Sequence, residues 1–121
     1  MTEGAAGRQL KRLRALAAAL PGAEESRSYG TPAFRVRSKL FARMHQDGES
    51  LVLRCEPDER EVLLAASPEV FFVTDHYREH PFVLARLDSI SPEQLAEVFE
   101  HAWRLRAPRR LVDAFDNERG A

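Results

Sequence analysis

The sequence predicts an α+β domain: a five-stranded antiparallel sheet, made of a β-meander and a β-hairpin, with helices packed on it. Three observations carry that prediction. Apolar and charged residues alternate with period two in "AFRVR", Ala33 to Arg37, as in a half-buried strand. The links between the first three strand segments are too short for parallel crossovers, so those strands must run antiparallel. The segment "SPEQLAEVFEHAWRL" opens with a capping box, in which Ser91 is the cap, Pro92 starts the first turn and Gln94 follows three residues after the cap.

Taken in order, the chain begins with a helix whose apolar stripe is Leu10, Leu13, Leu16, Ala17 and Leu20, stopped by Pro21-Gly22. "AFRVR", "LFARMH" and "SLVLRC" then form the meander, with a tight turn at Ser38-Lys39 and a second turn signal at Gln46-Asp47-Gly48. Pro57 suits a first helical position, and Asp58 and Glu59 suit a first turn. Val62, Leu63 and Ala66 give this second helix its apolar side, and Ser67-Pro68 ends it. "VFFVT" and "PFVLARLD" are the last two strands, joined by the polar link "DHYREH". Leu95, Val98, Phe99 and Ala102 mark the capped helix, Ala107-Pro108 breaks it, and "RRLVDAF" forms a short final helix. The order is α-β-β-β-α-β-β-α-α. Residues 1–7 and 117–121 read as flexible tails around a single domain over 8–116.

A chain of 121 residues is one domain by length and can bury a core without disulfides. Cys55 is the only cysteine, which excludes an internal disulfide. No apolar run approaches the ~20 residues of a membrane span, and the N-terminus lacks a signal-like apolar core. A soluble cytoplasmic protein without a membrane partner is expected. Formal net charge is −1, but Met1 to Arg54 holds ten Lys/Arg against five Asp/Glu, and Cys55 to Ala121 eight against fourteen. Such asymmetry marks either a polyanion-facing side or two halves that pair in the fold. Sixteen of the eighteen basic residues are Arg, a bias that a GC-rich genome also produces.

Four pieces in this order and spacing resemble the MmcQ/YjbR-like family: "LPGAEES" (Leu20 to Ser26), "YGTPAFRV" (Tyr29 to Val36), "KLFA" (Lys39 to Ala42) and "ISPEQLAEVFEHAWRLRAP" (Ile90 to Pro108). The family turn before the lysine is often glycine-rich, whereas here it is Arg37-Ser38. The resemblance implies a fold compared with double-wing DNA-binding domains. It supplies no catalytic residues.

The basic hairpin is the leading functional feature. Arg35 and Arg37 lie two apart and share a strand face, which Lys39 and Arg43 extend. Arg27 and Tyr29 precede them, and a tyrosine ring can stack on a base. Cations on one rigid wing can grip phosphates, with Arg binding two oxygens at once; the ordinary alternative is a solvated outer face. Arg104, Arg106, Arg109 and Arg110 form a second basic cluster, explained in part by the cation preference of a helix C-terminus. These residues point first to DNA as partner and to non-enzymatic, nonspecific binding. The alternative is a protein- or small-ligand-binding module with an apolar or aromatic cleft near Tyr29 and Trp103 and no nucleic-acid role. No metal or other cofactor is expected. His76 and His80 with Asp75 fall in a loop, His45 and His101 have no evident partner, and Cys55 reads as a buried apolar residue rather than a nucleophile. Trp103 is expected to pack against Phe71, Phe72 or Phe82.

Overall fold

The computed structural model describes residues 4–120. Its elements are α1 (Ala5–Ala18), β1 (Ala23–Ser28), β2 (Thr31–Val36), β3 (Lys39–Met44), β4 (Ser50–Arg54), α2 (Pro57–Ala66), β5 (Phe71–Phe72), a 3-10 turn (Asp75–Tyr77), β6 (Phe82–Arg86), α3 (Pro92–Arg106) and α4 (Arg109–Gly120). The strands form one antiparallel sheet in the order β1-β2-β3-β4-β6-β5. The expected α+β class and the β2–β4 meander are present. The sheet has six strands rather than five, because "AEESRS" pairs along its whole length with β2. That strand lies on the sheet edge, where charged residues such as Glu24, Glu25 and Arg27 deter further pairing. The same polarity hides it from a hydrophobic-pattern search.

The helix boundaries also extend beyond those expected from the sequence. Helix α1 starts at Ala5 and α4 continues to Gly120, so residues 5–7 and 117–120 are helical and not tail. The remaining tail residues, 1–3 and 121, lie outside the described residues. The Ser91 hydroxyl accepts the Gln94 backbone N–H at 3.1 Å, the cap that the sequence predicts for α3.

One sheet face carries the main core. There α3 lies across β3 and β4, burying Leu95, Phe99, Ala102 and Trp103. Phe99 meets Phe34 and Phe41 edge-on, with ring centroids 5.6 and 5.3 Å apart. The β2–β3 register slips by one beside Phe34, so Phe41 and Ala42 both oppose it and both are fully buried. Trp103 donates its indole N–H to the Pro21 carbonyl at 3.0 Å. Its ring partner is Phe115 of α4, at 5.3 Å, and not one of the expected strand phenylalanines.

The opposite face carries a row that crosses all six strands: Ser26, Ala33, Arg43, Val52, Leu84 and Phe72. Tyr77 of the 3-10 turn covers part of this row, packing with Val52 and Leu84. Arg60 of α2 pins that turn by donating to the carbonyls of Tyr77, Arg78, His80 and Phe82.

Candidate anion-binding sites at the two ends of the basic hairpin

The structure divides the hairpin cations between two places. The β2–β3 link is a two-residue turn formed by Arg37 and Ser38, one residue earlier than Ser38-Lys39. Both residues have positive φ, +50° and +70°, which matches the right-handed strand twist but is costly for residues with a Cβ. This turn carries Arg37 and Lys39 to the C-terminal end of α3. There they line one cleft of about 540 Å³ with Leu105, Arg106, Ala107, Pro108 and Arg110.

The cleft is acid-free. Among the described residues, no carboxylate pairs with Arg37, Lys39, Arg106 or Arg110. Arg106 Nε is buried without a hydrogen-bond partner. Arg54, at the end of β4, is held below the ordinary arginine value by burial and by the charge of Arg106. Like charges brought this close raise the energy of the empty site, and an anion would lower it.

The other members of the second cluster are neutralised. Arg104 donates to Asp116 and Glu100, and these bonds hold its guanidinium well above the ordinary value. Arg109 lies 3.7 Å from Asp113. Arg106 and Arg110 line the cleft, whereas Arg104 bridges Glu100 and Asp116 and the exposed Arg109 pairs within its own helix.

Arg35 and Arg27 are also engaged. Arg35 donates to Ser26 Oγ at 3.1 Å and to the Ser38 carbonyl at 3.2 Å, so it braces the hairpin. Arg27 donates to the Gly30 carbonyl across the β1–β2 turn.

Arg43 lies at the far end of β3 and is only 2% exposed, which removes it from the solvent-facing wing. It lies on the expected sheet face, but Tyr77 covers it there. Its five donor bonds reach the Tyr77 hydroxyl twice (3.0 and 2.7 Å), Thr31 Oγ1, the Met44 carbonyl and Gln46 Oε1. All of these acceptors are neutral. Tyr29 is 77% exposed, and its ring centroid lies 5.2 Å from the guanidinium carbon. With His45, Gln46, His76 and Tyr77 these two residues line a pocket of about 200 Å³. Tyr77 and Gln46 are not evident from the sequence; the only signal is a lone aromatic inside the polar link "DHYREH". Trp103 is fully buried on the opposite sheet face, so the expected Tyr29–Trp103 cleft is not formed.

Cys55 is buried with its Sγ 3.6 Å from Glu59 Oε1, and burial followed by the Glu59 charge pushes its thiol up to about 12. Glu59 in turn contacts His101. The His76 and His80 rings are 5.9 Å apart, and His76 packs edge-on against Tyr77. Among the described residues, no group of three His, Cys, Asp or Glu side chains is placed to hold a metal. Nor is any helix there long and apolar enough to cross a membrane.

Comparison with known proteins places this geometry in a family. The chain is 43% identical over 53 residues to uncharacterised proteins of Mycobacterium tuberculosis and Mycobacterium bovis. That alignment covers 44% of this chain and 41% of theirs, so the chain spans under half the length of the curated relatives it matches. The crystal structure of a Deinococcus radiodurans protein with the DUF419 domain superposes with a TM-score of 0.72 at 25% identity. The superposition covers 92% of this chain and 87% of that one. The YjbR family model matches residues 18–105, from the end of α1 to the last turn of α3, and the chain belongs to the YjbR family.

Proposed function

We propose that this protein is a non-enzymatic nucleic-acid-binding protein, cytoplasmic and directed at DNA, that grips phosphates in the cleft of Arg37, Lys39, Arg106 and Arg110. The observation that carries the reading is a four-cation cleft free of carboxylates, with an orphaned guanidinium nitrogen on Arg106. Arg is suited to this role because its planar fork matches two phosphate oxygens. The cleft is built from a strand turn and a helix end whose cations suit phosphate oxygens, and the binding is nonspecific and set by backbone geometry. The non-catalytic part of the reading is supported by Cys55, whose raised thiol keeps it out of the thiolate form near neutrality.

The test is fluorescence anisotropy with labelled duplex and single-stranded DNA over a salt series. Wild-type protein is expected to bind at micromolar concentration in low salt, with affinity falling steeply as salt rises. Alanine at all four positions is expected to flatten the duplex salt slope by about 3 to 4, near 0.9 for each phosphate no longer gripped. Absence of binding at the lowest salt, or an unchanged slope in the variant, refutes the reading.

A further inference from the structure

The pocket at the opposite end of the hairpin holds a buried cation in a different way. The Arg43 guanidinium has its hydrogen bonds but no counter-charge: among the described residues no carboxylate contacts it. Its effect is passed on through its acceptors. Tyr77 Oη accepts from both Nε and Nη2 of Arg43, which occupies its lone pairs and leaves its own proton to be donated elsewhere. Among the described residues nothing accepts that proton, although Tyr77 is only 6% exposed. Gln46 Oε1 is likewise taken by Arg43 at 3.2 Å, so the amide can offer only its N–H groups. The buried charge thus converts two neutral side chains of the pocket lining into donors. His45 and His76 complete the polar wall; no acid lines it, and the carboxylate of Asp47 lies 3.3 Å from His45 Nδ1.

Tyr29 forms the exposed rim of this pocket. It occupies the first position of the two-residue β1–β2 turn with φ +53°, a conformation that a bulky side chain rarely adopts. Such strain accumulates where a fixed side-chain position serves a ligand. It holds an aromatic ring beside the guanidinium, in solvent, where burial gives it no packing role.

We propose that this pocket binds the oxyanion group of a small molecule, a carboxylate or a phosphate. Tyr77 O–H and Gln46 N–H are its donors, Arg43 the buried charge behind them, and Tyr29 the aromatic rim. A volume of about 200 Å³ is too small for a drug-sized ligand and fits a compact one. The site is separate from the phosphate cleft: Lys39 and Arg43 are four strand residues apart, about 13 Å along β3.

The proposal is tested by NMR on the full ¹⁵N-labelled chain, titrated with sodium benzoate and with sodium phosphate, using sodium chloride as the ionic-strength control. Saturable shifts are expected at the Arg43 Nε–H and at the amides of Tyr29, Gln46, His76 and Tyr77, with a millimolar or tighter Kd. Because Arg43 variants can fail to fold, the discriminating variants are Tyr29→Gly, which relieves the positive φ, and Gln46→Ala at an exposed position. Each is expected to weaken binding about fivefold while the spectrum stays folded. The proposal is overturned if neither anion saturates by about 20 mM, or if both variants bind like wild type. It is also overturned if the shifts map to Arg37, Lys39, Arg106 and Arg110, or if only a short single-stranded DNA moves the pocket resonances.

Discussion

A guanidinium removed from water costs several kcal/mol unless its donors are met. Arg43 meets all of its donors with neutral groups, so its removal strands the buried Tyr77 hydroxyl and leaves Thr31 Oγ1 and the Met44 carbonyl each short of a donor. Arg43→Ala is therefore expected to lower the unfolding free energy by about 2–4 kcal/mol, summing the missing charge-assisted bonds and the unsatisfied acceptors. Arg43→Lys is expected to recover less than half, because an ammonium has no planar fork to span Tyr77 and Thr31 at once. Urea unfolding with a constant m-value measures both, and a loss below about 1 kcal/mol would show that these bonds do not hold the pocket together. Arg43 shares the face of Arg35 only through the register slip beside Phe34, since a regular hairpin with this turn would pair it with Pro32 on the Phe34 face. Its burial is no more legible, because the group that covers it lies thirty-four residues away in a link that reads as polar.

The β2–β3 turn shows the same division at the scale of an element. Alternation in "AFRVR" makes the hairpin legible, and the short link fixes its antiparallel sense. The turn itself contradicts local preference, since positive φ at both central positions favours Asn-Gly over Arg-Ser. Arg37 has a reason to be there: the turn projects it into the acid-free cleft. Ser38 does not line that cleft, and its contact with Arg35 is through the backbone carbonyl, which a glycine would keep. Ser38→Gly is expected to raise stability by about 1 kcal/mol by removing the Cβ clash. It is expected to leave the DNA salt slope unchanged. A thermal melt together with the anisotropy series separates the two effects; a Ser38→Gly protein that melts lower would place the strain elsewhere in the hairpin. Strand β1 is the converse case, an element set by pairing with β2, whose polar edge sequence carries no period-two signal.

At the scale of the molecule the question is where an arginine-rich chain leaves its cations unanswered. The ion pairs of Arg14, Arg78, Arg104, Arg109 and Arg119 each join residues within one half of the sequence. These pairs therefore leave uncancelled the basic excess of the first half, which the composition makes visible. The sequence cannot bring Arg37 and Lys39 beside Arg106 and Arg110, some seventy residues later, because that juxtaposition is a product of the way α3 crosses the sheet. This local arrangement, and not net charge, decides how DNA is held if the cleft is its site. Arg37→Ala and Arg104→Ala lower the formal charge by the same unit. Arg37 stands in an acid-free cleft, and its removal is expected to reduce the duplex salt slope by about 0.9, the value of a single phosphate. Arg104 bridges Glu100 of α3 and Asp116 of α4, so its removal frees Asp116, leaves Glu100 to Arg119 alone and loosens α4. Its salt slope is expected to stay at the wild-type value while its melting temperature falls. Equal slopes in the two variants would mean that DNA responds to the overall field, and the cleft would lose its special role.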